Sequence, residues 1–346
     1  MILTSLAVKN VRTHTSFEHD LSPNVTLITG PNGGGKTTLL EAITVALNGK
    51  SFRGTDKELL RHGGEWWRID ARLGGADRIV KFNPANTTKR KTFTVDEKTT
   101  ARLPKTATYP IVLFEPEDLR LLHGSPSRRR QFIDRFAAQI DPEYGRIVRR
   151  YERSLQQRNK LLKTGGSYDD LFAWNVSLSE YGSQIVNARI DLIERLNAGL
   201  NGTYDTIAQS EDAVSIHYSH TVIDHTKQKM LRELEANYER DRILGVTTVG
   251  PHRHDVLFGF NGAPAIGVAS RGEARTVVLA LKFLEVDIIQ QLTGDVPIVL
   301  LDDVFSELDE RRQTHLATKF KDHQIIMTSA SASATLDDAM VIRLGD

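Results

Sequence analysis

The chain has 346 residues, with 45 Lys and Arg against 44 Asp and Glu, so its formal net charge is only +1. This length exceeds what one ordinary domain needs, and two structural units are expected. The absence of cysteine excludes disulfides, a cysteine nucleophile and thiolate-bound metal centres. No apolar run approaches the roughly 18 residues of a membrane span, and residues 1–9 predict a strand rather than a signal peptide. We therefore expect a soluble cytoplasmic protein that contacts no membrane.

The near-neutral average conceals a basic segment. Between Arg120 and Lys163 there are twelve Lys or Arg and four Asp or Glu residues, a local net charge of +8, so the remainder sums to −7. Such asymmetry favours a polyanionic partner, although a solvated helix face would account for part of it.

A glycine-rich segment follows the first predicted strands. Alternation of apolar and polar residues over 1–30 predicts strands, of which 25–28 is buried, and residues 39–47 predict a helix. The segment between them fits the P-loop pattern Gly-x-x-x-x-Gly-Lys-Ser/Thr. The predicted nucleotide-binding residues of this loop are Gly30, Pro31, Asn32, Gly33, Gly34, Gly35, Lys36, Thr37 and Thr38.

The residue types explain how such a loop binds phosphate. Glycines allow backbone N–H groups to converge on phosphate oxygens, and the helix N-terminus adds a partial positive charge. Lys36 would neutralise the β- and γ-phosphates, and the Thr37 hydroxyl would hold Mg²⁺. The alternative is an ordinary glycine-rich turn before a helix, but the strand and helix on either side favour a nucleoside triphosphate site.

Short strands are predicted after the first helix. Residues 50–64 predict a loop or a short helix, and residues 67–73, 78–82 and 91–95 predict an antiparallel meander with turns between them. Residues 111–114 predict another strand of the nucleotide-binding sheet. The meander carries a basic hairpin end, which indicates either DNA contact or protection of an exposed sheet edge. Its main cations are Lys89, Arg90 and Lys91.

Helical periodicity dominates from 126 to about 240, with predicted breaks at 165–166 and 201–202. Residues 214–218 predict a strand, residues 226–241 a charged helix, and residues 247–258 a turn followed by a strand. His252, His254 and Asp255 are side-chain types that bind zinc, but two histidines in a loop without a fuller ligand set are weak evidence for a metal site.

The C-terminal region carries acidic residues in two patterns. Ser270 and Glu273 form a capping box before a long helix, and Gly272 permits close approach to its N-terminus; a plain capped helix would explain the same residues. A buried strand over 296–303 ends in Asp302 and Asp303. Adjacent strand residues point to opposite faces, so one carboxylate could bind Mg²⁺ and the other a water. We predict Asp302 as the metal ligand and Asp303 as the base that orients the attacking water.

The distance along the chain between the P-loop and Asp302 predicts a split domain. Both must reach one Mg·nucleotide, so the helical segment between them must be an insertion. We predict an ATPase domain formed by 1–118 and 245–346, with 119–244 as an inserted helical arm.

The order of motifs resembles ABC-type ATPases of the SMC kind and, more closely, the RecF family of bacterial recombination mediators. The resemblance spans nearly the whole chain. Besides the P-loop, it is carried by residues 10–14, 124–129, 250–253, 270–276 and 301–309.

The resemblance implies an α/β fold with an ABC-type P-loop ATPase head, a mixed sheet with an antiparallel meander, and a helical arm. It implies ATP and Mg²⁺ as ligands and ATP-dependent homodimerisation. Ser270 and Gly272 would face the γ-phosphate bound by the partner subunit, with Glu273 and Arg12 also at the nucleotide and Asp309 in the D-loop across the interface.

The resemblance also implies DNA replication and repair, including the SOS response. Members bind double-stranded, gapped or junction DNA and work with RecR and RecO to place RecA, so a nucleoid-associated location is expected. Arg128, Arg129 and Arg130 would contact DNA phosphates. A weak, DNA-stimulated ATPase is expected, and because Asp303 is shorter than the usual Glu, hydrolysis should be slow. The expected histidine is missing after residue 327, which leaves Thr328 or Ser329 to sense the γ-phosphate.

Three alternatives remain open at this point. The head of another SMC-like complex should carry a long heptad coiled coil, for which the insert is too short. An ABC transporter subunit would need a Q-loop glutamine and a membrane-coupling surface. A binding module without catalysis would retain the P-loop but not the role of Asp303.

Overall fold

A computed structural model describes residues 1–219, 226–304, 308–330 and 339–345. The chain divides into two compact units, the first formed by Met1–Asp118 and Val286–Asp346, the second by Leu119–Glu285. The second unit is thus inserted in the first along the chain. In this division into compact units, residues 245–285 belong to the second unit. Their assignment to the ATPase domain stays a prediction.

The described secondary structure alternates between strand-rich and helix-rich segments. The strands are β1 (Leu3–Val11), β2 (His14–Asp20), β3 (Val25–Thr29), β4 (Trp67–Leu73), β5 (Ala76–Phe82), β6 (Lys91–Val95), β7 (Lys98–Thr100), β8 (Ile111–Phe114), β9 (Val214–Ser219), β10 (Asp255–Phe260), β11 (Ala263–Pro264), β12 (Ile298–Asp302), β13 (Ile325–Ser329) and β14 (Met340–Arg343). The α-helices are α1 (Lys36–Asn48), α2 (Pro126–Ile140), α3 (Tyr144–Thr164), α4 (Tyr168–Ala208), α5 (Lys227–Ala236), α6 (Tyr238–Leu244), α7 (Ala265–Val268), α8 (Arg271–Thr293) and α9 (Glu310–Lys319).

Two sheets form the first unit. One has the order β2-β1-β4-β5-β6-β7 and is antiparallel at every described pair, which confirms the predicted meander. The other has the order β14-β3-β13-β12-β8 and is parallel throughout the described strands, where the sequence predicts a mixed sheet. Hairpins with short connections, such as β1–β2 and β4–β5, lie in the antiparallel sheet. The paired strands of the other sheet are separated by long stretches of chain, as parallel pairing requires.

Helix α1 lies between these sheets. It contacts β1, β4 and β5 of the antiparallel sheet and β12 and β13 of the parallel sheet. Ten of its thirteen residues are buried, as expected of a helix packed on both sides. The glycine-rich segment that precedes α1 is therefore attached to the most enclosed helix of the unit.

The second unit is mostly helical, and its longest helix corrects one prediction. Helix α3 ends at Thr164, directly before Gly165, which has a φ of 76°, so the predicted break is confirmed. Helix α4 continues for 41 residues through Asn201 and Gly202, where the sequence predicts a break. The flanking side chains Leu200 and Tyr204 are buried, so their packing outweighs the weak helix propensity of the Asn-Gly pair.

Two smaller features complete this unit. The helix predicted over 226–241 is divided at Asn237 into α5 and α6. Strands β9, β10 and β11 form a three-stranded antiparallel sheet. In the described parts of both units, no helix is long and apolar enough to cross a membrane.

Candidate nucleotide-binding site

The glycine-rich segment folds into a tight loop between β3 and α1. Gly35 precedes the first residue of α1 and has a φ of 88°, a left-handed conformation that favours glycine. A Cβ at this position would lie 2.4 Å from His14 Nε2 and 2.4 Å from Thr13 Oγ1. Gly35 is therefore required both by its backbone angle and by the close approach of the β1–β2 turn. No side chain caps the N-terminus of α1, so its backbone N–H groups suit an anion.

Lys36 is held inside this loop. Its side chain is buried, and Nζ donates to the carbonyl oxygens of Gly30 at 2.9 Å and Pro31 at 3.3 Å. The ammonium group therefore lies within the curve of the loop, where the sequence predicts the phosphates.

Thr37 and Asp302 meet although they are 265 positions apart in the chain. Thr37 Oγ1 donates to Asp302 Oδ1 at 2.7 Å. The contact arises because the loop follows β3 and Asp302 ends β12, and these strands flank β13 in the parallel sheet. Carboxyl ends of parallel strands lie at one edge of a sheet, which is where such folds bind ligands. The predicted proximity of the two motifs is confirmed.

The two acidic residues at the end of β12 differ in environment. Burial raises the pKa of Asp302, and this effect is opposed by hydrogen bonds from Thr37 and Thr328. Asp303 has a φ of 53°, and its N–H donates to Thr328 Oγ1 at 2.9 Å. The strand thus ends at Asp302. Asp303 lies outside the strand, so the prediction that the two carboxylates point to opposite faces of the sheet does not apply to it.

A polar cleft of about 340 Å³ lies beside α1 and contains residues that the sequence did not indicate. Arg12 has a φ of 46° and forms a bidentate pair with the buried Glu41, with Nε at 2.6 Å from Oε2 and Nη2 at 2.9 Å from Oε1. The hydrogen bond to Glu41 raises the pKa of Arg12. The cleft is lined by Arg12, Thr38, Glu41, Arg53 and Glu58. Only Arg12 and Thr38 were expected here, because Glu41 in α1 and the loop residues Arg53 and Glu58 match no motif.

The capping box at the start of α8 is confirmed within the second unit. Ser270 N–H donates to Glu273 Oε2 at 2.6 Å, and Glu273 N–H donates to Ser270 Oγ at 3.3 Å. The carbonyl oxygen of Gly272 accepts from Thr276 Oγ1 at 3.0 Å. The predicted role of Ser270, Gly272 and Glu273 at a partner's phosphate stays a prediction.

Asp309 caps α9 in the first unit. Its side chain accepts from Arg312 N–H at 2.9 Å, and this hydrogen bond lowers its pKa. Phe305, Ser306 and Glu307 of the motif over 301–309 lie outside the described residues.

The loop with His252 and His254 is held by hydrogen bonds to other segments of the second unit. His252 Nδ1 lies 2.7 Å from Tyr151 Oη, and its Nε2 lies 3.0 Å from the carbonyl oxygen of Thr247. Because both nitrogens have protein partners, His252 anchors the loop, and burial lowers its pKa to about 4. Asp255 forms a bidentate pair with Arg129, so the zinc alternative has little support.

The cations predicted to contact DNA have different surroundings. Lys89 and Arg90 are exposed. Lys91 is nearly buried, donates to Gly49 O at 2.9 Å, and pairs with Asp56.

The three arginines Arg128, Arg129 and Arg130 are all at least half-buried. Arg129 is also nearly buried against Asp255, and its Nη1 donates to Gly124 O at 2.6 Å. Arg130 is half-buried, and its Nη1 donates to His254 O at 2.7 Å. Arg128 is half-buried.

Helix α3 presents a basic stripe that the sequence indicated only as a charge excess. Its members are spaced by three, four and seven residues and share one face of the helix. All four are exposed: Arg146, Arg149, Arg153 and Lys160.

Comparisons with known proteins agree with this fold. A family model described as an AAA domain matches residues 5–167. The DNA replication and repair protein RecF of Streptococcus agalactiae serotype V is 34% identical, with coverage of 100% of this chain and 97% of that protein. A solved structure of the recombination mediator RecF with ATP, from the RecFOR pathway, is 29% identical with a TM-score of 0.87 and covers 99% of this chain and 95% of that chain. An SMC head bound to a ScpA domain, 15% identical with a TM-score of 0.52 over 96% of this chain and 91% of that chain, shares the fold alone.

The fold and the P-loop site together define a P-loop ATPase of the ABC type with an inserted helical arm, and its fold is shared with an SMC head. The loop and Asp302 lie at the carboxyl edge of one parallel sheet, which is where such folds bind ligands. Within it, the chain belongs to the RecF family of DNA replication and repair proteins.

Proposed function

We propose that this protein is an ATP-switched, DNA-binding recombination mediator. It acts at gapped or junction DNA, helps to load RecA, dimerises with ATP and hydrolyses ATP slowly. The proposed binding and hydrolysis of ATP rest on the 2.7 Å hydrogen bond between Thr37 and Asp302. This bond joins the P-loop to a carboxylate that lies 265 positions further along the chain.

Mg²⁺ fits this pair of side chains. A hydroxyl and a carboxylate oxygen in contact are hard oxygen donors, which Mg²⁺ prefers, usually beside phosphate oxygens and waters. Thr37 and Asp302 would hold the ion, and when bound it would neutralise charge on the phosphate oxygens.

The residues of the site divide the remaining tasks of hydrolysis. Lys36 and the N-terminus of α1 place positive charge where the β- and γ-phosphates bind. Asp303 orients a water and accepts its proton as that water attacks the γ-phosphorus and ADP leaves, which produces ADP and inorganic phosphate. A short carboxylate base suits the slow hydrolysis of a switch.

The proposal of ATP-dependent dimerisation rests on two segments that the family resemblance assigns to the nucleotide of a partner subunit. Gly272 has no side chain in the first turn of α8, so a phosphate can approach the positive end of this helix. Asp309 is the N-cap of α9 and follows Asp302 and Asp303 closely in the chain. A second copy of this chain would bring both to the nucleotide on the P-loop.

The dimer is expected to form only with nucleotide. Light scattering of the protein at micromolar concentration should give 38.7 kDa alone and about twice that mass with Mg²⁺ and a non-hydrolysable ATP analogue. Gly272→Asp should remain monomeric because its carboxylate repels phosphate, while an acidic residue in the first helical turn preserves α8. A wild-type protein that stays at 38.7 kDa with saturating analogue would contradict the proposal.

The proposal of DNA binding rests on the basic stripe of α3 and on Lys89 and Arg90. These side chains are exposed, whereas Lys91 and Arg129 are nearly buried in intramolecular pairs. We therefore assign the phosphate contacts to exposed cations, with sequence-independent and salt-dependent binding.

Removal of two stripe cations is expected to weaken binding to all DNA sequences alike. Arg149→Gln with Arg153→Gln should reduce the slope of log K against log salt by about 1.8, since each phosphate contact contributes about 0.9. The assay measures binding of gapped duplexes over a salt series with and without ATP. Arg232→Gln, an exposed arginine of α5 in the same unit, is the matched control and should leave the slope unchanged. Equal slopes for the double variant and the wild type would show that these arginines of α3 do not contact DNA phosphates.

RecR and RecO are the protein partners we propose, with a nucleoid-associated location. The support is family membership, and the related RecF structure with ATP is described as part of the RecFOR pathway.

A further inference from the structure

The residue that follows the metal-binding strand has an unusual backbone. Asp303 has a φ of 53°, in the left-handed region that non-glycine residues seldom adopt. This conformation turns the chain out of β12 directly after Asp302. Something must hold Asp303 in this conformation if its carboxylate is to serve the reaction.

The hydroxyl of Thr328 contacts both acidic residues. Thr328 Oγ1 accepts the N–H of Asp303 at 2.9 Å and lies 3.0 Å from Asp302 Oδ1, to which it donates. Its alternative acceptor, the carbonyl oxygen of Leu301, is farther away at 3.5 Å. A hydroxyl has one proton to donate, and a carboxylate is the stronger acceptor.

The geometry depends on strand register. Thr328 pairs with Asp302 across the parallel strands β12 and β13, so its side chain lies beside the end of β12. Thr328 has no exposed surface. The Thr37 hydroxyl donates to the same oxygen of Asp302, so the carboxylate is held between two hydroxyl groups from β13 and α1.

We propose that Thr328 is a positioning residue for ATP hydrolysis. Its hydroxyl holds the Asp302 carboxylate against Thr37 and, through the backbone N–H, holds Asp303 in its left-handed conformation. This inference rests on the proposed function of the site. It replaces the expectation that Thr328 senses the γ-phosphate, because the hydroxyl is enclosed and directed to the acidic pair.

The test removes the hydroxyl of Thr328, and the Val variant also keeps the shape of the side chain. Thr328→Val and Thr328→Ala remove the hydroxyl, and Thr328→Ser retains it. Thr26→Val is the matched control, because Thr26 is a fully buried threonine of the neighbouring strand β3 whose Oγ1 accepts from Ser22 N–H at 2.9 Å. Four quantities are measured on the full chain: kcat, KM, affinity for an ATP analogue with Mg²⁺ and in EDTA, and melting temperature.

Loss of the hydroxyl is expected to lower kcat about 10–100-fold, which is the usual effect of removing a group that orients a metal ligand. The increase in analogue affinity caused by Mg²⁺ should shrink by a similar factor, while affinity in EDTA stays at the wild-type value. Thr328→Ser should recover kcat to within about 3-fold, and Thr26→Val should match the wild type. If Thr328→Val proves unstable, the comparison of Thr328→Ala with Thr328→Ser decides the matter.

Two results would overturn the inference: Thr328→Val and Thr26→Val with equal kcat, or Thr328→Ser as impaired as Thr328→Val. Failure of the proposed function looks different, because the wild type itself would then show no turnover. In that case the Mg²⁺-dependent affinity still decides whether Thr328 positions Asp302.

Discussion

Replacement of Asp303 by asparagine is expected to lower ATP turnover by about 10²–10⁴-fold, the range that a general base contributes. Asparagine adopts left-handed backbone angles at least as readily as aspartate, so the φ of 53° and the N–H bond to Thr328 should persist. The amide cannot accept the proton of the attacking water. Binding of an ATP analogue should therefore remain within a few-fold of the wild-type value, and dimerisation with the analogue should be preserved.

The measurement is steady-state phosphate release together with analogue affinity. Asp77→Asn, at an exposed carboxylate of β5 paired with Arg72, is the control and should leave both quantities unchanged. Lys36→Met should lose both binding and turnover, because the buried ammonium lies inside the loop. If Asp303→Asn hydrolyses ATP at the wild-type rate while Lys36→Met is inactive, Asp303 is not the base.

The largest expected effect on stability comes from Arg158→Met in the second unit. Arg158 and Asp241 are fully buried and paired, with Nη1 at 2.6 Å from Oδ2. The guanidinium also donates to Asn175 Oδ1 at 2.6 Å and Thr247 Oγ1 at 2.8 Å. Methionine removes all of these bonds and leaves a buried carboxylate without its counter-charge. Loss of one partner of a buried ion pair costs about 3–5 kcal/mol.

Denaturation in urea, with hydrogen exchange to locate the loss, measures this effect. Amides of α3 and α6 should lose protection, because Arg158 and Asp241 lie on these helices. Arg242→Met removes an exposed pair with Glu239 on the same α6 and should change the free energy of unfolding by less than about 1 kcal/mol. The double variant Arg158→Met with Asp241→Leu should recover part of the loss, since no charge then remains buried. Equal stabilities for Arg158→Met and Arg242→Met would show that the buried pair contributes nothing.

Most of the predicted elements follow from local sequence patterns. The P-loop, the meander, the capping box of Ser270 and the strand before Asp302 depend on residues close together in the chain. Each such pattern has a local physical cause, such as a required glycine, a capping side chain or alternating burial. Asp302 beside Thr37 could also be predicted, because two phosphate-site motifs in one chain must converge on one nucleotide.

Other features required the tertiary structure. The continuation of α4 through Asn201 and Gly202 depends on packing of its buried face, which outweighs local propensity. The burial of Arg129 and Lys91 depends on partners from distant segments, and a cation in a basic run carries no sign of whether it is paired.

The sequence by itself determined the class of the protein, its nucleotide loop and the identity of its acidic pair. Only the tertiary structure decided how that pair is held. The left-handed turn at Asp303 and its bond to Thr328 arise from the register of two parallel strands, and register is set by packing across the whole sheet rather than by neighbouring residues.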